Sequence, residues 1–378
     1  AAVLIFGDYL KRFDQGVYDK LLQTQARPAR DDILIIAIDD YSLNEIGKWP
    51  WNRAIHAQLL ERLQPAHPKA IGFDIVFTEA QSNSDSLSSD PAQGDSAFAE
   101  ALKRAKTVVM PTASMEAGRG LQAALPLPLF AEASRAIGHN HIELDDDGVA
   151  RSVFLREGTQ GQWWSHFALE LLRVGLGNDS LLPVKVSQFE GSFSTEIGVW
   201  HRDWRFRIPY YGGSGHFKSI PYVAVLRGEV APETFRDKYV LIGATAQGMA
   251  DAFPTPVTSN QGVLSGVEIN ANILASLIDQ RSIIEVSHWQ TLLATSCVLI
   301  LALISLLVFS PRTALAIVFS LMLICLVASI ALLKFGYWLA PGASIVVMVL
   351  CYPLWSWRRL ETAIDFLGQE FVLLDQEP

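Results

Sequence analysis

The sequence predicts an α/β domain, with some α+β elements, around a central and largely parallel sheet, followed by a transmembrane α-helical bundle. Two observations carry this prediction. Short β-branched runs alternate with helical patterns between residues 33 and 110, as in strands joined by right-handed crossovers. Three runs without Asp, Glu, Lys or Arg follow at residues 289–309, 313–333 and 337–357, and each can cross a hydrocarbon core of about 30 Å.

The N-terminal segment, residues 1–27, is predicted to connect a membrane span to the large domain. Residues 1–6 are apolar but too short to cross a membrane, so we interpret them as the end of a truncated first transmembrane helix. A cleaved signal peptide would leave a similar remnant. Apolar residues then recur every three or four positions from Phe6 to Leu21, which predicts an amphipathic helix that ends before Pro28.

Residues 28–285 contain the predicted sheet. Its first strand is the β-branched run Ile33–Ile38, which stops at Asp39 and Asp40. Further strands are predicted at residues 70–77, 107–110 and 239–243, and helices at residues 53–63, 97–105 and 266–279. Residues 81–96 are rich in Ser, Asp, Asn and Gly, so we expect an exposed loop there. Residues 136–240 show more strand patterns than helix patterns.

Basic residues at the ends of the apolar runs predict the orientation in the membrane. Lys and Arg near span ends favour the cytoplasm, and the pair Arg358 and Arg359 is the strongest such feature. It places the C-terminal segment, residues 358–378, inside and the large domain outside. Lys334 would then lie outside, so it is the basic residue that argues against this orientation. Residues 286–357 are therefore predicted to form three transmembrane helices.

Charge and cysteine content exclude several classes of function for the large domain. Of the net charge of −9, residues 289–378 carry −1, with four basic and five acidic residues, so residues 1–288 carry −8. This balance argues against nucleic acid as a partner. Cys297, Cys325 and Cys351 all lie in the apolar runs, so the outer domain has no disulfide, thiol or Cys-zinc chemistry. No hydrolase or zinc-protease motif occurs, and we expect neither catalysis nor a cofactor.

The candidate ligand-binding site begins where the first strand ends. Asp39 and Asp40 leave that strand, and Trp49, Trp51 and Arg53 lie just before the next helix. Ligands of open α/β sheets bind beyond the carboxyl ends of the strands. In a structural interpretation, which stays open, the tryptophans instead cover the end of the sheet and the arginine forms a structural ion pair.

A second strand end is expected beside the first. Asp74 lies near the end of the predicted strand 70–77. We predict that Arg53 balances the charge of Asp39 and Asp74 in a polar pocket walled by the two tryptophans. Replacing Asp74 by Ala should then change signalling without unfolding the domain.

Two polar clusters suggest metal ions more weakly. His139 and His141 would share one face of a strand, but the spacing fixes no third ligand. Asp145, Asp146 and Asp147 offer carboxylates suited to calcium but lack the closing Glu of a calcium loop. We interpret this run as a surface turn, and we predict no metal site.

Several segments together identify the family that the large domain resembles. In order across residues 33–279 they are IAIDDYSLNEIGKWPWNR, AIGFDIVFTE, GDSAFAEALKRAKTVVMP, DDDGVARSVFL, IPYYGGSGHFKSIPYVAVLRGE, YVLIGATAQGMADAFPTP and GVEINANILASLID. They resemble the type-2 CHASE domain, an extracytoplasmic sensory module of bacterial cyclases and histidine kinases. One span before this domain and three spans after it are also the layout of that family.

The resemblance implies a sensor joined to a cytoplasmic enzyme in the bacterial inner membrane, with the large domain in the periplasm or outside the cell. It also adds Asp251 and Thr255 to the candidate site, because they belong to the DxxxTP pattern of the family. Their expected place is the face shared by Asp39 and Asp74. The cue is expected to be a small molecule or an ion, which the sequence does not name.

The C-terminal segment, residues 358–378, indicates which enzyme follows. Its apolar residues step by four and three positions, which is typical of a heptad seam: Leu360, Ile364, Leu367, Phe371 and Leu374. An amphipathic helix at the membrane edge would show the same spacing. The segment RRLETAIDFLGQEFVLLDQEP resembles the juxtamembrane signalling helix of CHASE-type histidine kinases, which implies a two-component system. A cyclase or a Ser/Thr kinase is the alternative.

The predicted function is the sensory input and transmembrane region of a receptor. We expect a homodimer formed through the sensory domain, the spans and the C-terminal helix. Its other expected partners are membrane lipid and a cytoplasmic response regulator. A membrane-tethered extracytoplasmic hydrolase, which would use the acidic residues catalytically, stays open. So does a transporter or scaffold, although the three apolar runs contain no charged residue to mark a polar path.

Overall fold

The structure, a computed structural model, describes residues 2–81, 91–117, 120–159, 161–181, 200–246, 248–249, 252–258 and 262–374. It divides the chain into two compact units. The large unit is Leu22–Ile283, and the membrane unit combines Ala1–Leu21 with Ile284–Pro378. The predicted mixed α/β fold with a mostly parallel sheet, followed by apolar helices, is confirmed.

Strands and helices alternate along much of the chain. The strands are β1 (Ile33–Ile38), β2 (Ala70–Phe73), β3 (Val108–Ala117), β4 (Gly120–Ala124), β5 (Ala136–His139), β6 (Ser152–Thr159), β7 (Gln162–Ser165), β8 (His201–Arg207), β9 (Lys218–Pro221), β10 (Tyr239–Ala244), β11 (Ala252–Phe253), β12 (Leu264–Ser265), β13 (Ile284–Glu285) and β14 (Tyr337–Trp338). The helices are α1 (Ala2–Phe6), α2 (Lys11–Gln23), α3 (Asp40–Ile46), α4 (Arg53–Leu63), α5 (Pro91–Ala105), α6 (Pro128–Ala133), α7 (Phe167–Leu176), α8 (Tyr222–Leu226), α9 (Gly266–Ile278), α10 (His288–Val308), α11 (Pro311–Lys334) and α12 (Gly342–Leu374).

The central sheet has the strand order β4-β3-β2-β10-β1-β9, and β5 also pairs with β3. Its strands are parallel except β4, which runs antiparallel to β3. Helices α4 and α5 pack into one core with alternate residues of β1, and α7 and α9 contact the sheet outside that core. All six residues of β1 are buried, which explains its continuous β-branched sequence. A small antiparallel sheet, β7-β6-β8, and the strands β5 and β9 of the central sheet account for the strand patterns after residue 136.

Four predicted boundaries in the large unit differ from the structure. The strand predicted at residues 107–110 continues past Pro111 to Ala117 as β3, because its second half pairs with β4. The second strand ends at Phe73 instead of residue 77, so Asp74 is the first residue after it. Residues 91–96 of the predicted loop form the start of α5, where Pro91 suits the first turn of a helix; residues 82–90 lie outside the described residues. The predicted loop after Ile38 contains α3, whose N-cap is Asp39.

The membrane unit contains two helices, α10 and α11, that are long and apolar enough to cross a membrane. The third predicted span is divided, because its first two residues form β14, which pairs with β13, and α12 begins only at Gly342. The apolar half of α12, residues 342–357, is not among the helices that meet this criterion, so its crossing of the membrane stays a prediction. The hydroxyls of Thr295 in α10 and Ser344 in α12 hydrogen-bond at 2.8 Å, a polar contact of the kind that joins helices in membranes.

Candidate ligand-binding site

The side chain of Asp74 lies at the carboxyl edge of the central sheet. Asp74 follows β2, and its backbone N–H donates to the carbonyl of Ile242 in β10 at 2.7 Å. Asn140 directly follows β5, and Asn270 comes from α9, which packs on β10. Three different elements thus bring polar side chains to the edge of the sheet at which α/β folds bind ligands.

Both carboxamides hydrogen-bond to the Asp74 carboxylate. Nδ2 of Asn140 donates to Oδ1 of Asp74 at 3.0 Å, and Nδ2 of Asn270 donates to Oδ2 at 3.0 Å. Because an ionised carboxylate only accepts hydrogen bonds, the atom of each carboxamide that contacts it must be the NH₂ group. The side chain of Asn270 is 1% exposed, and its Oδ1 is buried without a hydrogen-bond partner.

A cavity of about 350 Å³ opens beside these three side chains. The residues that line it combine polar groups with apolar ones, namely Asp74, Val76, Ala113, Asn140, His141, Ile142, Phe253, Gly266 and Asn270. A concave site with a few convergent polar groups and apolar walls is the usual form of a small-molecule pocket. This cavity is therefore the candidate ligand-binding site.

A buried ion network behind the cavity orients His141. Its Nδ1 lies 3.1 Å from Oε1 of Glu157, whose carboxylate also accepts a hydrogen bond from Nε1 of Trp200 at 2.9 Å. The Arg202 guanidinium nitrogen Nε lies 3.7 Å from the same Glu157 Oε1. Glu157 is fully buried, so these three partners hold its charge, and one of them is a residue of the cavity wall.

His139 and His141 do not form a metal-binding pair. His139 is buried, and its ring meets that of His166 edge to face at 5.0 Å, whereas His141 turns towards Glu157. Burial lowers the pKa of His166 to about 3 and the pKa of His139 well below its ordinary range, so both rings are neutral. Among the described residues, no group of three His, Cys, Asp or Glu side chains is arranged to hold a metal ion.

Asp39 and Asp40 begin α3. Oδ1 of Asp39 accepts a hydrogen bond from the backbone N–H of Ser42 at 2.8 Å, which is the normal contact of a helix N-cap. Asp40 is exposed in the first turn, where a negative charge stabilises the helix dipole. Neither residue lines the Asp74 cavity. The start of α3 therefore also explains the two carboxylates that suggested a ligand-binding site after β1.

Trp49, Trp51 and Arg53 lie in an aromatic cluster that the cavity does not include. Trp51 is 3% exposed, donates from Nε1 to the carbonyl of Gly47 at 2.8 Å, and packs edge on to Trp49 at 5.2 Å. The Arg53 guanidinium lies 4.3 Å from the ring centroid of Phe77, and its Nε is 3.8 Å from a carboxylate oxygen of Asp95. These contacts favour the structural interpretation of the tryptophans and the arginine.

The remaining predicted groups fall elsewhere. Thr255 is buried in a turn, where its backbone N–H donates to Oγ1 of Thr258 at 3.0 Å, and Asp251 lies outside the described residues. Asp145 and Asp147 both accept hydrogen bonds from the buried guanidinium of Arg151. These two carboxylates thus pair with a side-chain cation, which lowers the pKa of Asp147.

Asn140 and Asn270 are the site residues that the sequence interpretation missed. Asn270 and Asn272 are buried polar residues within an otherwise apolar stretch of α9, and buried polar groups of this kind are uncommon without a role. That contrast could have indicated Asn270. Asn140 shows no comparable feature in the sequence, because only the pairing of β5 with β3 brings it near Asp74.

Comparison with known protein families agrees with this architecture. The profile of the CHASE2 domain matches residues 1–307, about four fifths of the chain. Comparisons with curated proteins and with solved structures give no significant match. The predicted resemblance is confirmed, and this chain belongs to the CHASE2 domain family.

Proposed function

We propose that this chain is the sensory input and transmembrane region of a bacterial receptor and that it relays an extracytoplasmic cue to a histidine kinase of a two-component system. A CHASE2 sensory domain with candidate membrane helices supports an extracytoplasmic input region. The observation that carries the ligand-sensing part is the polar cavity beside Asp74, because it lies at the carboxyl edge of the parallel sheet.

Helix α9 connects the cavity to the first membrane helix along the chain, which supports a role in signalling. Gly266 and Asn270 line the cavity, and α9 has 13 residues, which correspond to about 20 Å at 1.5 Å per residue. It ends at Ile278, and α10 begins ten residues later in the chain at His288. A ligand that binds one position of α9 more tightly than another shifts the equilibrium between the two positions. The short connection passes that shift to α10.

Helix α12 supports a kinase-type output. It runs without interruption from Gly342 to Leu374, past both arginines that end the predicted span. Leu360 and Ile364 are 62% and 60% exposed, as we expect of a heptad seam that a second copy covers. The structure describes only the backbone of the other seam residues, which are Leu367, Phe371 and Leu374. The proposed homodimer pairs along this seam and changes its packing with the cue.

Other functions have less support. A CHASE2 domain is a non-catalytic sensory module, which argues against the tethered hydrolase. An adenylate or guanylate cyclase is the alternative effector, since a heptad seam also suits a dimeric cyclase. Membrane lipid around the apolar helices and a response regulator downstream of the kinase are the further partners in this proposal.

The test uses the receptor with its own cytoplasmic region, reconstituted in liposomes. Phosphorylation on histidine is measured with ATP for the wild type, for Asp74→Ala and for a control, Asp179→Asn, which changes an exposed residue paired with Arg135. We expect phosphohistidine in the wild type, a several-fold change in Asp74→Ala and no change in the control. Formation of a cyclic nucleotide would instead show that the effector is a cyclase and not a histidine kinase. An Asp74→Ala variant that fails to fold would make Asp74 structural and remove the cavity from the proposal.

A further inference from the structure

We infer that the large unit has a second ligand-binding site, which takes an aliphatic carboxylate at the amino edge of the central sheet. Two adjoining cavities form this site, and they share the residues Arg30, Asp32 and Arg281. The smaller cavity measures about 210 Å³ and the larger about 650 Å³. Binding at this site is independent of the Asp74 cavity and of the effector that the receptor controls.

The amino ends of three strands contribute to the smaller cavity. Asp32 directly precedes β1, Lys69 directly precedes β2, and Tyr239 is the first residue of β10. Because β1, β10 and β2 are parallel neighbours, these ends lie at one edge of the sheet, opposite to the edge that carries Asp74. Among the described residues, neither cavity shares a lining residue with the Asp74 cavity, so the site is a separate one.

Apolar and aromatic side chains form most of the wall of the smaller cavity. Helices α7 and α9 supply the majority of this wall, which comprises Leu169, Leu172, Leu176, Leu181, Phe206, Tyr239, Leu277 and Ile278. The volume is roughly seven times the 30 Å³ of one water molecule, which is enough for a short hydrocarbon chain. Leu176 is 58% exposed, so a chain that covers it would remove apolar surface from water.

Arg30 engages two of the three carboxylates that line the cavities. Its Nε and Nη2 donate to Asp32 at 2.8 Å each, and its Nη1 donates to Asp279. Asp279 also accepts a hydrogen bond from the Tyr211 hydroxyl. The third carboxylate, that of Asp31, is exposed to solvent. Most of the negative charge that the described residues bring to the site is therefore already paired within the protein.

The site has more basic than acidic residues. Four basic residues line the cavities in addition to Arg30, so the five basic residues exceed the three acidic ones by two charges: Arg27, Lys69, Lys238 and Arg281. Lys69 and Arg281 both line the smaller cavity, and neither forms a side-chain hydrogen bond or an ion pair with any described residue. Burial lowers the pKa of Arg27, and the positive charge of Arg281 lowers it further, because the two guanidinium groups repel each other. A bound anion would offset this repulsion.

An anion with a hydrocarbon chain matches both cavities. Its carboxylate would lie at the rim, where Arg281 belongs to both cavities and can donate charge-assisted hydrogen bonds. Its chain would lie against the leucines of α7 and α9. An inorganic anion would leave that apolar wall uncovered, and an amine would meet the excess of positive charge.

The experiment measures binding to the full chain in nanodiscs by titration calorimetry, with protein-free nanodiscs as the blank. The probes are butanoate, hexanoate and octanoate, each compared with the amine and the alcohol of the same chain length. We expect octanoate to bind about tenfold more tightly than octylamine and octanol. The affinity of the carboxylates should rise at least fourfold with each two added carbons, since one buried CH₂ group contributes about fourfold.

Two variants test the two parts of the site. Arg281→Gln removes an exposed guanidinium that both cavities share, and it should weaken octanoate binding about fivefold. Leu176→Gln removes apolar wall, so it should weaken the binding of octanoate more than that of butanoate. The control is Arg62→Gln, which changes an exposed arginine of α4 outside both cavities and should bind octanoate like the wild type.

Each contrary outcome removes a different part of the inference. Binding of octylamine or octanol as tight as that of octanoate would overturn the anionic ligand. An affinity that does not change with chain length would mean adsorption of carboxylates to surface charge and would overturn the apolar part. Octanoate binding that survives both variants, or no binding by any carboxylate, would overturn the site as a whole. Thermal unfolding of both variants should match the wild type, since both substituted side chains are exposed.

Discussion

Arg151 is a charged side chain that the large unit buries almost completely. It is 1% exposed, and its guanidinium donates to Asp145 at 3.0 Å and to both carboxylate oxygens of Asp147 at 2.7 and 2.8 Å. The carboxylate of Asp145 is itself buried. The Arg151 cation and the Asp145 anion therefore share a low-dielectric environment, in which each charge depends on its partners, whereas Asp147 is more exposed to solvent.

Replacing Arg151 by Met should destabilise the fold by about 3 kcal/mol, because it removes the buried cation closest to the buried Asp145 carboxylate, although Nη2 of Arg205 still lies 3.6 Å from that carboxylate. The measurement is urea unfolding of the full chain in detergent, followed by tryptophan fluorescence. Arg135→Met is the matched control, since Arg135 and Asp179 form an exposed pair that should contribute less than about 1 kcal/mol. Equal losses for the two variants would show that Arg151 has no special role.

His166 makes the stability of the large unit depend on pH. It is fully buried, and burial lowers its pKa to about 3 from an ordinary value of 6.5. The unfolded chain therefore binds a proton at a pH where the folded chain does not. This contribution to stability is complete above pH 6.5 and is lost as the pH falls from 6.5 towards 3. His56, whose pKa burial likewise lowers to about 3, acts in the same direction.

The variant His166→Asn should reduce the loss of stability on acidification. Nδ1 of His166 accepts from the backbone N–H of Ala168 at 3.2 Å as the N-cap of α7, and Asn is also a good N-cap. The slope of unfolding free energy against pH should fall by at most one proton, about 1.4 kcal/mol per pH unit. Urea titrations between pH 4 and pH 7 measure it. The exposed His67→Asn is the control, and an unchanged slope in His166→Asn would contradict the assignment.

At the scale of single residues, the sequence identifies Asp74 as a candidate site residue but does not identify its hydrogen-bond partners, Asn140 and Asn270. Asp74 could be recognised because a carboxylate near a strand end suggests a site. Asp39 satisfied the same criterion, yet it caps α3, because a polar residue at a strand end and a polar residue at a helix start look alike in sequence. Asn140 could not be found, since its place depends on the parallel pairing of β5 with β3, a contact between distant segments.

At the scale of elements, Asp14 connects α2 with the start of α12. Its Oδ1 accepts the backbone N–H of Gly342 at 2.7 Å, and a Cβ atom on Gly342 would come within 2.8 Å of that oxygen. Only glycine permits this approach. Burial raises the pKa of Asp14 to about 6, against the opposing effect of the Gly342 N–H group. A half-buried carboxylate that titrates near neutral pH thus holds one end of the predicted output helix.

Replacing Asp14 by Asn should remove a pH-dependent part of the stability. Because the folded pKa is raised, the contribution of Asp14 is complete below about pH 4 and is lost as the pH rises through 6. Asn keeps an acceptor for Gly342 but does not ionise. The stability of Asp14→Asn relative to the wild type should therefore be more favourable at pH 7.5 than at pH 4.5. Thermal unfolding in nanodiscs measures the difference, with exposed Asp8→Asn as control. A difference independent of pH would contradict the raised pKa.

Elements with a strong period were predictable, and short elements held by tertiary contacts were not. The buried strands β1 and β10 and the helix α9 occupy the predicted positions within one residue. Helix α3 was missed because its seven residues, DYSLNEI, show no long amphipathic period and depend on the Asp39 cap. Strand β14 was missed because its two residues lie in an apolar run, and only the pairing with β13 makes them extended.

At the scale of the whole molecule, the number of membrane crossings determines the side on which α12 ends. Two helices, α10 and α11, meet the length and hydropathy expected of a span. Helix α12 combines an apolar half with Arg358, Arg359 and a charged second half in 33 continuous residues. If the apolar half crosses the membrane, three spans separate the large domain from the C-terminal segment, and the two lie on opposite sides. If it does not, they lie on the same side and the receptor proposal loses its output.

Cysteine labelling distinguishes these two arrangements. In a chain whose three native cysteines are replaced by Ser, single cysteines are introduced at the exposed positions Asp179 and Glu361. The two arginines favour the cytoplasmic side for the end of α12. A membrane-impermeant maleimide should therefore label Asp179→Cys in intact spheroplasts and Glu361→Cys only after lysis. Labelling of both sites before lysis would place them on one side, with α12 outside the membrane. The reverse pattern would mean that Lys334, the single opposing charge, outweighs the arginine pair.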